Sequence, residues 1–427
     1  MAGTYLVDEL NEMQHPDLAR RGVNKGLSER QRAIAATQLS HSNLTAALTR
    51  ANQGLVECLL IADDLTGACD AAVQFTLRGC RAAVALELGA GAPNPDVLAV
   101  STESRGLSAE ESRQAIGDMA LRFADTKAGI LFKKIDSTLR GNAGAEIAAT
   151  VSAFGCDAAV ITPAFPAMKR IVADGWLRMA GLVDGPAKFE PVEMGAYFQA
   201  QDLAPHRHVH GGGVAVAIGG GIRYVSVDAV CDADLDAVVE TMMEWKGRIL
   251  WAGSAGLAAA LARSISVGRE RIARPAKRFG PVLFCIGSTH PATLAQQLRL
   301  LAERPVCALS AEAAAPGEVA DALRDGRSVM LEIPRGRIPE RRIAELLRGA
   351  REVAGALALS GGDTASHVCR ALRAKGIELH DEVEAGIPWG TLRSGAFDGV
   401  AIATKSGAFG DSGALIRITD FFTCQKA

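Results

Sequence analysis

The chain has 427 residues, 48% of them apolar and 22% charged, enough for sizeable cores and too apolar for global disorder; its length suits two or three domains. Its 46 Lys and Arg nearly balance 48 Asp and Glu, for a net charge of −2, and aromatics are only 5%. Without a basic excess or aromatic stacking platforms, a nucleic-acid or membrane-surface role is excluded and small-molecule chemistry is left.

Residues 1–54 are polar and weakly helical and read as an N-terminal extension. Asp8, Glu9 and Glu12, with no apolar h-region, argue against a signal peptide there. From Glu57 short apolar runs alternate with Ala-rich stretches of helical period. Strands are expected at 57–62, 82–87, 97–102, 129–136 and 157–163, with helices at 66–78, 109–125 and 142–154 between them. The stretch 184–222, rich in Gly, His and Pro, breaks this rhythm, which resumes with strands at 223–229 and 248–253 and helices at 232–245 and 254–262. A basic, proline-containing segment, 268–281, reads as a linker. Beyond it a second set of strands is expected at 282–287, 306–310, 329–333, 356–360 and 399–405. The predicted architecture is α/β: two α/β domains, each with a largely parallel sheet flanked by helices, at 55–267 and 282–427. Nine widely spaced cysteines without a C-x-x-C pair suit a reducing cytoplasm, and the longest uncharged stretch, 279–298, is too polar to span a bilayer.

In open parallel sheets ligands gather at the carboxyl ends of strands, so polar clusters there carry the functional reading. IADDLTGACD delivers Asp63 and Asp64 from a buried strand into a turn opened by Thr66 and Gly67. Adjacent carboxylates repel and need a cation, donors or a substrate hydroxyl nearby, whereas a helix cap needs only one acid. STESR ends another strand with Arg105, a side chain suited to bidentate carboxylate recognition. In KKIDSTLRGNAGAEI, strand alternation puts Lys134 and Asp136 on one face and Lys133 on the other, with Ser137, Thr138, Arg140 and Asn142 following. Such a turn could grip a small hydroxylated anion, or be a structural ion-pair cluster. In TPAFPAMKR, Lys169 or Arg170 could reach an anion. Three Gly-rich turns after strands, AGSAGLA (252–258), SGGDTA (360–365) and TKSGAFGDSG (404–413), can offer backbone N–H groups to phosphate. None is a Walker A loop or a dinucleotide fingerprint. His206, His208 and His210 alternate as on a strand, but no acid or cysteine accompanies them at ligand spacing. Packing is the expected role of Cys69 and Cys369.

Together these motifs resemble the four-carbon acid sugar kinases, an ATP-dependent family. The carrying runs are IADDLTGACDAA, KKIDSTLRGNAGAEI, ITPAFPA, VDAVCDADL to GSAGLA, LSGGDTAS, and EAGIPWG through TKSGAFG, which span about 57–420 in order. The wording KKIDSTLRGN is closer to the D-threonate and D-erythronate branch than to the 3-oxo-tetronate branch. The resemblance implies a sugar-acid-binding N-terminal domain and an ATP-binding C-terminal domain. It assigns Asp64, Arg105, Lys134, Ile135, Asp136 and Ser137 to the acid. Ser254, Gly361, Gly362, Thr364, Ser406, Gly407 and Gly410 fall to the nucleotide. Lys169 stands where the family pattern PAFPAMGR has glycine, and 184–222 departs from the family's usual connection.

The expected reaction is transfer from Mg-ATP to the terminal 4-hydroxyl, D-threonate being the first substrate to try, with one acid among Asp63, Asp64 and Asp136 orienting or deprotonating that hydroxyl and Asp136 and Asp63 the first candidates. D-erythronate, 3-oxo-tetronate and 4-hydroxythreonine kinases share the motifs. A non-catalytic sugar-acid sensor would need no pair of phosphate turns, and a nicotinamide dehydrogenase would need the missing glycine fingerprint. The partners expected are a small sugar acid and ATP, with no nucleic acid and no membrane; a homodimer is the assembly considered.

Overall fold

Each apolar run read from the sequence becomes a strand. The computed structural model describes residues 55–87, 95–124, 126–179, 189–266, 268–270, 272–273 and 279–423. The expected extension, and parts of the 184–222 segment and the linker, lie outside the described residues.

The N-terminal half runs β1 (Leu55–Ala62), α1 (Leu65–Thr76), β2 (Ala82–Ala85), β3 (Val97–Ser101), α2 (Ala109–Arg122), β4 (Lys127–Lys134), α3 (Ala143–Ala153) and β5 (Ala158–Thr162). It continues with β6 (Arg170–Ala173), β7 (Trp176–Met179), β8 (Val192–Glu193), α4 (Met194–Gln199), β9 (His206–Val209), α5 (Gly213–Gly219), β10 (Tyr224–Val227), α6 (Asp232–Met243), β11 (Ile249–Gly253) and α7 (Ala255–Ile265). The C-terminal half runs β12 (Val282–Ile286), α8 (Pro291–Glu303), β13 (Val306–Ser310), α9 (Glu318–Arg324), β14 (Ser328–Glu332), α10 (Glu340–Leu346) and β15 (Ala356–Ser360). It ends with α11 (Gly362–Ala371), β16 (Gly376–Glu384), β17 (Ile387–Arg393), β18 (Ala401–Lys405) and α12 (Ala414–Thr423).

Eight parallel strands, in the order β9-β10-β5-β11-β4-β1-β3-β2, form the N-terminal sheet. Five more, β18-β15-β12-β14-β13, form a parallel C-terminal set. The antiparallel hairpin β16–β17 bridges them, β17 pairing with β18 and β16 with β2, so that 15 strands make one continuous sheet. The two largely parallel sheets expected from the sequence are these eight- and five-strand sets, and the hairpin that joins them was not among the expected elements. The Gly386 turn, at φ 78, was the local signal for that hairpin. A separate antiparallel sheet, β6-β7-β8, fills part of the stretch that broke the βα rhythm. The central strands are buried on both faces. Leu59, Leu60 and Ile61 of β1 are at most 1% exposed, each contributing about 1.5–3 kcal/mol of burial.

Strand register decides which loops become neighbours. Ala62 pairs with Ser101 and with Lys134, and Lys134 pairs with Gly253, so the loops after β1, β3, β4 and β11 emerge side by side. In the other half Ile286 pairs with Ser360, and Ser360 with Lys405, which aligns the loops after β12, β15 and β18.

Candidate active site

At the end of β1, Asp64 caps α1 by accepting from the Gly67 N–H at 2.7 Å and the Thr66 hydroxyl at 2.9 Å. Both oxygens of Asp63 accept from Arg105, through Nε and Nη2, each at 2.7 Å, and Arg105 Nη1 donates to Asp64. The strand-end arginine thus supplies the cation that two adjacent carboxylates require. Burial pushes the Asp63 carboxyl up, but Arg105 overrides it and holds the group below its ordinary range. The same acids, against the cost of burial, hold the Arg105 guanidinium well above its usual value.

After β4, the alternation expected from the sequence is borne out. Lys133 is fully buried and pairs with Glu146 of α3 at 2.6 Å, while Lys134 lines the site and donates to the Ile135 carbonyl at 2.8 Å. Asp136 accepts from Arg140 Nε and Nη2, each at 2.8 Å, from the Thr138 hydroxyl and from the Thr138 and Arg140 amides. These donors, with Arg105 nearby, overcome burial and hold Asp136 well below the carboxylate range. Lys169 is exposed and takes φ 59 at the end of a 3-10 turn, left-handed backbone that accounts for a glycine in the family pattern. Arg170 turns inward instead. It is 3% exposed, its Nε has no hydrogen-bond partner, and its guanidinium lies 4.8 Å from the Phe409 ring centre.

Asp64, Thr66, Gly67, Asp70, Arg105, Lys134, Asp136 and Ser137 enclose a small polar pocket, closed from the C-terminal half by Gly386, Ser406 and Phe409. Its free volume is about 10 Å³, room for one water. Asp70 is 4% exposed, and burial pushes its carboxyl up to about 6, with Lys134 and Arg170 partly offsetting that effect.

Sharing Asp64, Arg105 and Ser406 with this pocket is a cleft of about 460 Å³. One wall is Gly361–Thr364 at the N-terminus of α11, another is Gly287–His290 leading into α8, and a third is Ser406–Ala408 after β18. The N-terminus of α11 and the glycine loop after β18 border one space, which suits a chain of phosphates, whereas α8 begins at Pro291 with its Ala292 amide already capped by His290. Gly361 has φ 102, and a β-carbon on Gly362 would collide with the Asp64 carboxylate, so only glycine lets the two halves meet here. Buried Lys405 ties down the loop by donating to the carbonyls of Ser406 at 3.0 Å and Phe409 at 3.2 Å, and burial pulls its amine down to about 7.

Most residues expected from the sequence converge on these two spaces. Asp63, Ile135, Ser254 and Gly410 do not line either one, Asp63 standing behind Arg105. Ser254 is fully buried, its hydroxyl donating to the Ala164 carbonyl at 2.5 Å and accepting from the Gly256 amide at 3.0 Å. Gly410 shapes the loop at φ 78, its carbonyl accepting from Gln296. Ile135 contributes its carbonyl to Lys134. The sequence reading missed Ser288, Thr289, His290 and Arg335, although a Ser-Thr-His-Pro run after a buried strand is a helix-start signal. The histidine cluster gains a carboxylate that linear spacing hid. Asp228, after β10, lies 3.0 Å from His208 Nε2 and 2.5 Å from His210 Nδ1. A larger hollow of about 920 Å³ surrounds Lys127 and Leu121, at the amino end of β4 and away from the strand ends where ligands gather. No helix among the described residues is long and apolar enough to cross a membrane.

Comparison with known proteins follows the same division. A sugar-binding N-terminal domain matches residues 58–261, and a nucleotide-binding C-terminal domain matches 314–415. The chain is 35% identical over 402 residues to a D-threonate kinase of Bordetella bronchiseptica, covering 84% of this chain and 95% of that one. It is 33% identical over 416 residues to a D-threonate kinase of Cupriavidus necator, covering 86% and 99%. A D-erythronate kinase and a 3-oxo-tetronate kinase match at 29% and 28% identity. A solved structure from Salmonella typhimurium superposes with a TM-score of 0.69, covering 87% of this chain and all of that one, and at 21% identity shows a shared fold.

Proposed function

Because the chain belongs to the four-carbon acid sugar kinases, we propose that it transfers the γ-phosphoryl group of ATP to the terminal hydroxyl of D-threonate. The observation that carries this reading is the sharing of Asp64, Arg105 and Ser406 between a cation-lined pocket and a phosphate-shaped cleft. Acceptor and donor can meet there in line, and phosphoryl transfer needs mainly such positioning and charge neutralisation.

In this reading Lys134, Arg105 and Arg170 hold the substrate carboxylate. Lys134 spends one donor on Ile135, and Arg170 Nε is uncommitted. Asp63 and Asp136, saturated by arginine donors, act as orienting acids and not as the proton acceptors expected from the sequence. Gly361, Gly362, Thr364, Ser406 and Gly407 receive the phosphates. Ser254 acts from behind, by fixing the loop around Ala164. Asp363, an exposed carboxylate at the edge of the cleft that pairs with Arg335, would hold Mg²⁺ there, since Asp64 already accepts from Gly67, Thr66 and Arg105. When bound, that ion neutralises charge on the phosphates.

We place the boundary between a substrate domain at 55–267 and a nucleotide domain at 282–427 in the 268–281 segment, since the two family matches fall on either side of it. A cytoplasmic location is supported by eight described cysteines, all free. The homodimer belongs with these proposals and is read by light scattering. The decisive assay is ADP release with Mg-ATP against D-threonate, D-erythronate, 3-oxo-tetronate and 4-hydroxythreonine, with the product located by phosphorus NMR. Turnover of D-threonate is expected. Preference for another acid moves the assignment within the family, and acid binding without any turnover replaces the kinase by a sensor.

A further inference from the structure

We propose that Asp70 is the general base that receives the proton of the substrate's terminal hydroxyl during phosphoryl transfer, an inference that rests on the kinase reading above. Four buried carboxylates gather around one site in the N-terminal half, those of Asp63, Asp64 and Asp136 after strands β1 and β4 and that of Asp70 on helix α1. Three of them are committed. Asp63 is clamped by Arg105, Asp64 caps α1 and takes Arg105 Nη1, and Asp136 is forked by Arg140 and further held by Thr138. A carboxylate whose oxygens already accept from cations and amides has little basicity left to offer.

Asp70 differs in its partners and in its placement. Its Oδ1 is buried with no hydrogen-bond partner, an expensive state for a side chain only 4% exposed. It stands four residues after Thr66 and three after Gly67 on α1, and so shares the helix face those residues present to the pocket. Ser406 and Phe409, from the loop that also borders the phosphate cleft, enclose the same pocket. A hydroxyl lodged between Asp70 and that loop faces the position of the transferred phosphoryl group.

The charges around Asp70 come from several elements. Lys134 of β4 and Arg170 of β6 favour its ionised form, while Asp64 before α1 and Asp136 after β4 oppose it. Glu382 of β16 adds a further carboxyl that interacts with Asp70, and Gln74 bridges the two by donating to Glu382 Oε1 and to the Asp70 carbonyl. Burial outweighs the cations and pushes Asp70 up to about 6, near the value at which a base can be ionised at neutral pH and still accept a proton well. In the step itself the hydroxyl proton moves to the Asp70 carboxylate as the oxygen bonds to the γ-phosphorus. The bond from that phosphorus to the β,γ-bridging oxygen breaks, and its electron pair leaves with ADP. Asp70 then passes the proton to water as the product departs.

The test uses the full chain with Asp70→Asn, a change that keeps the volume and removes the basicity, beside Asp70→Glu. Asp70→Asn should lower kcat by about 100- to 10,000-fold while the acid KM and ATP-analogue binding move by no more than a few-fold. The wild-type kcat should fall with acid as Asp70 protonates, to half its plateau near pH 6, and that limb should vanish in the residual activity of Asp70→Asn. Asp70→Glu should recover part of kcat and shift the limb. If Asp70→Asn fails to melt cooperatively, the Glu variant decides: an unmoved acid limb overturns the proposal. A raised KM with unchanged kcat makes Asp70 a binding residue and likewise overturns it. Wild-type protein inert toward every acid in the panel rejects the kinase reading itself, whereas active wild type with active Asp70→Asn rejects only the base.

Discussion

At Asp70, stability and chemistry pull in opposite directions. Its carboxyl is raised from an ordinary 3.8 to about 6 by burial, so the folded state prefers the protonated form. Such a group contributes stability below pH 4, and that contribution is lost as pH rises through 6. The loss amounts to about 3 kcal/mol. Asp70→Asn should therefore be more stable than wild type at pH 8 and lose this advantage near pH 4, as urea unfolding at the two values will read. A lower stability at pH 8 would mean that the carboxylate is held by partners after all. Asp63 and Asp136 follow the opposite sign, since arginine donors hold both below the usual range and they favour folding above about pH 4. Lys169 shows how a residue can be read from pattern alone, because the expected glycine coincides with left-handed backbone at φ 59.

Among the elements, the join of α3 to β4 rests on a buried ion pair. Lys133 and Glu146 meet at 2.6 Å with neither side chain more than 2% exposed, and Ser104 adds a hydrogen bond to Glu146 at 2.8 Å. Removing one partner strands the other charge in the core. Glu146→Ala should cost about 3–5 kcal/mol in urea unfolding, whereas replacing the pair by apolar residues of similar size should cost much less. Near-neutral behaviour of the single variant would show that water reaches Lys133. Strands and helices were legible because apolar runs of four to eight residues alternate with helical stretches, as in β1, β4 and β12. The hairpin β16–β17 was not, since β16 carries Glu378, Asp381, Glu382 and Glu384 and the buried β17 breaks its apolar run with Pro388 and Gly390.

For the molecule as a whole, one sheet carries both binding halves, and the crossing is narrow: Gly376, Ile377 and Glu378 of β16 pair with Ala85, Val84 and Ala83 of β2. A pocket with about 10 Å³ of free space admits a single water, so a four-carbon acid enters only if its walls part, and the wall contributed by the C-terminal half is Gly386, Ser406 and Phe409. Closure then excludes water from the transfer and limits ATP hydrolysis. Amide exchange over 386–387 and 406–410 should slow when the acid and a non-hydrolysable ATP analogue are both bound, as mass spectrometry will detect. Equal exchange with and without the ligands would mean that the pocket opens by some other route.

The amino-acid sequence by itself determined the α/β class, the strand ends that carry chemistry and the motifs of the family, because each depends on residues close together in the chain. Which acid keeps a free oxygen was decided only in three dimensions, since Arg105 reaches Asp63 across 42 residues and Asp136 is met by both Arg140 and Arg105. Tertiary structure likewise withdrew Ser254 into the core and brought Asp228 to the histidines. Hydrogen-bond saturation and burial are properties of pairs brought together by strand register, and no local spacing encodes them.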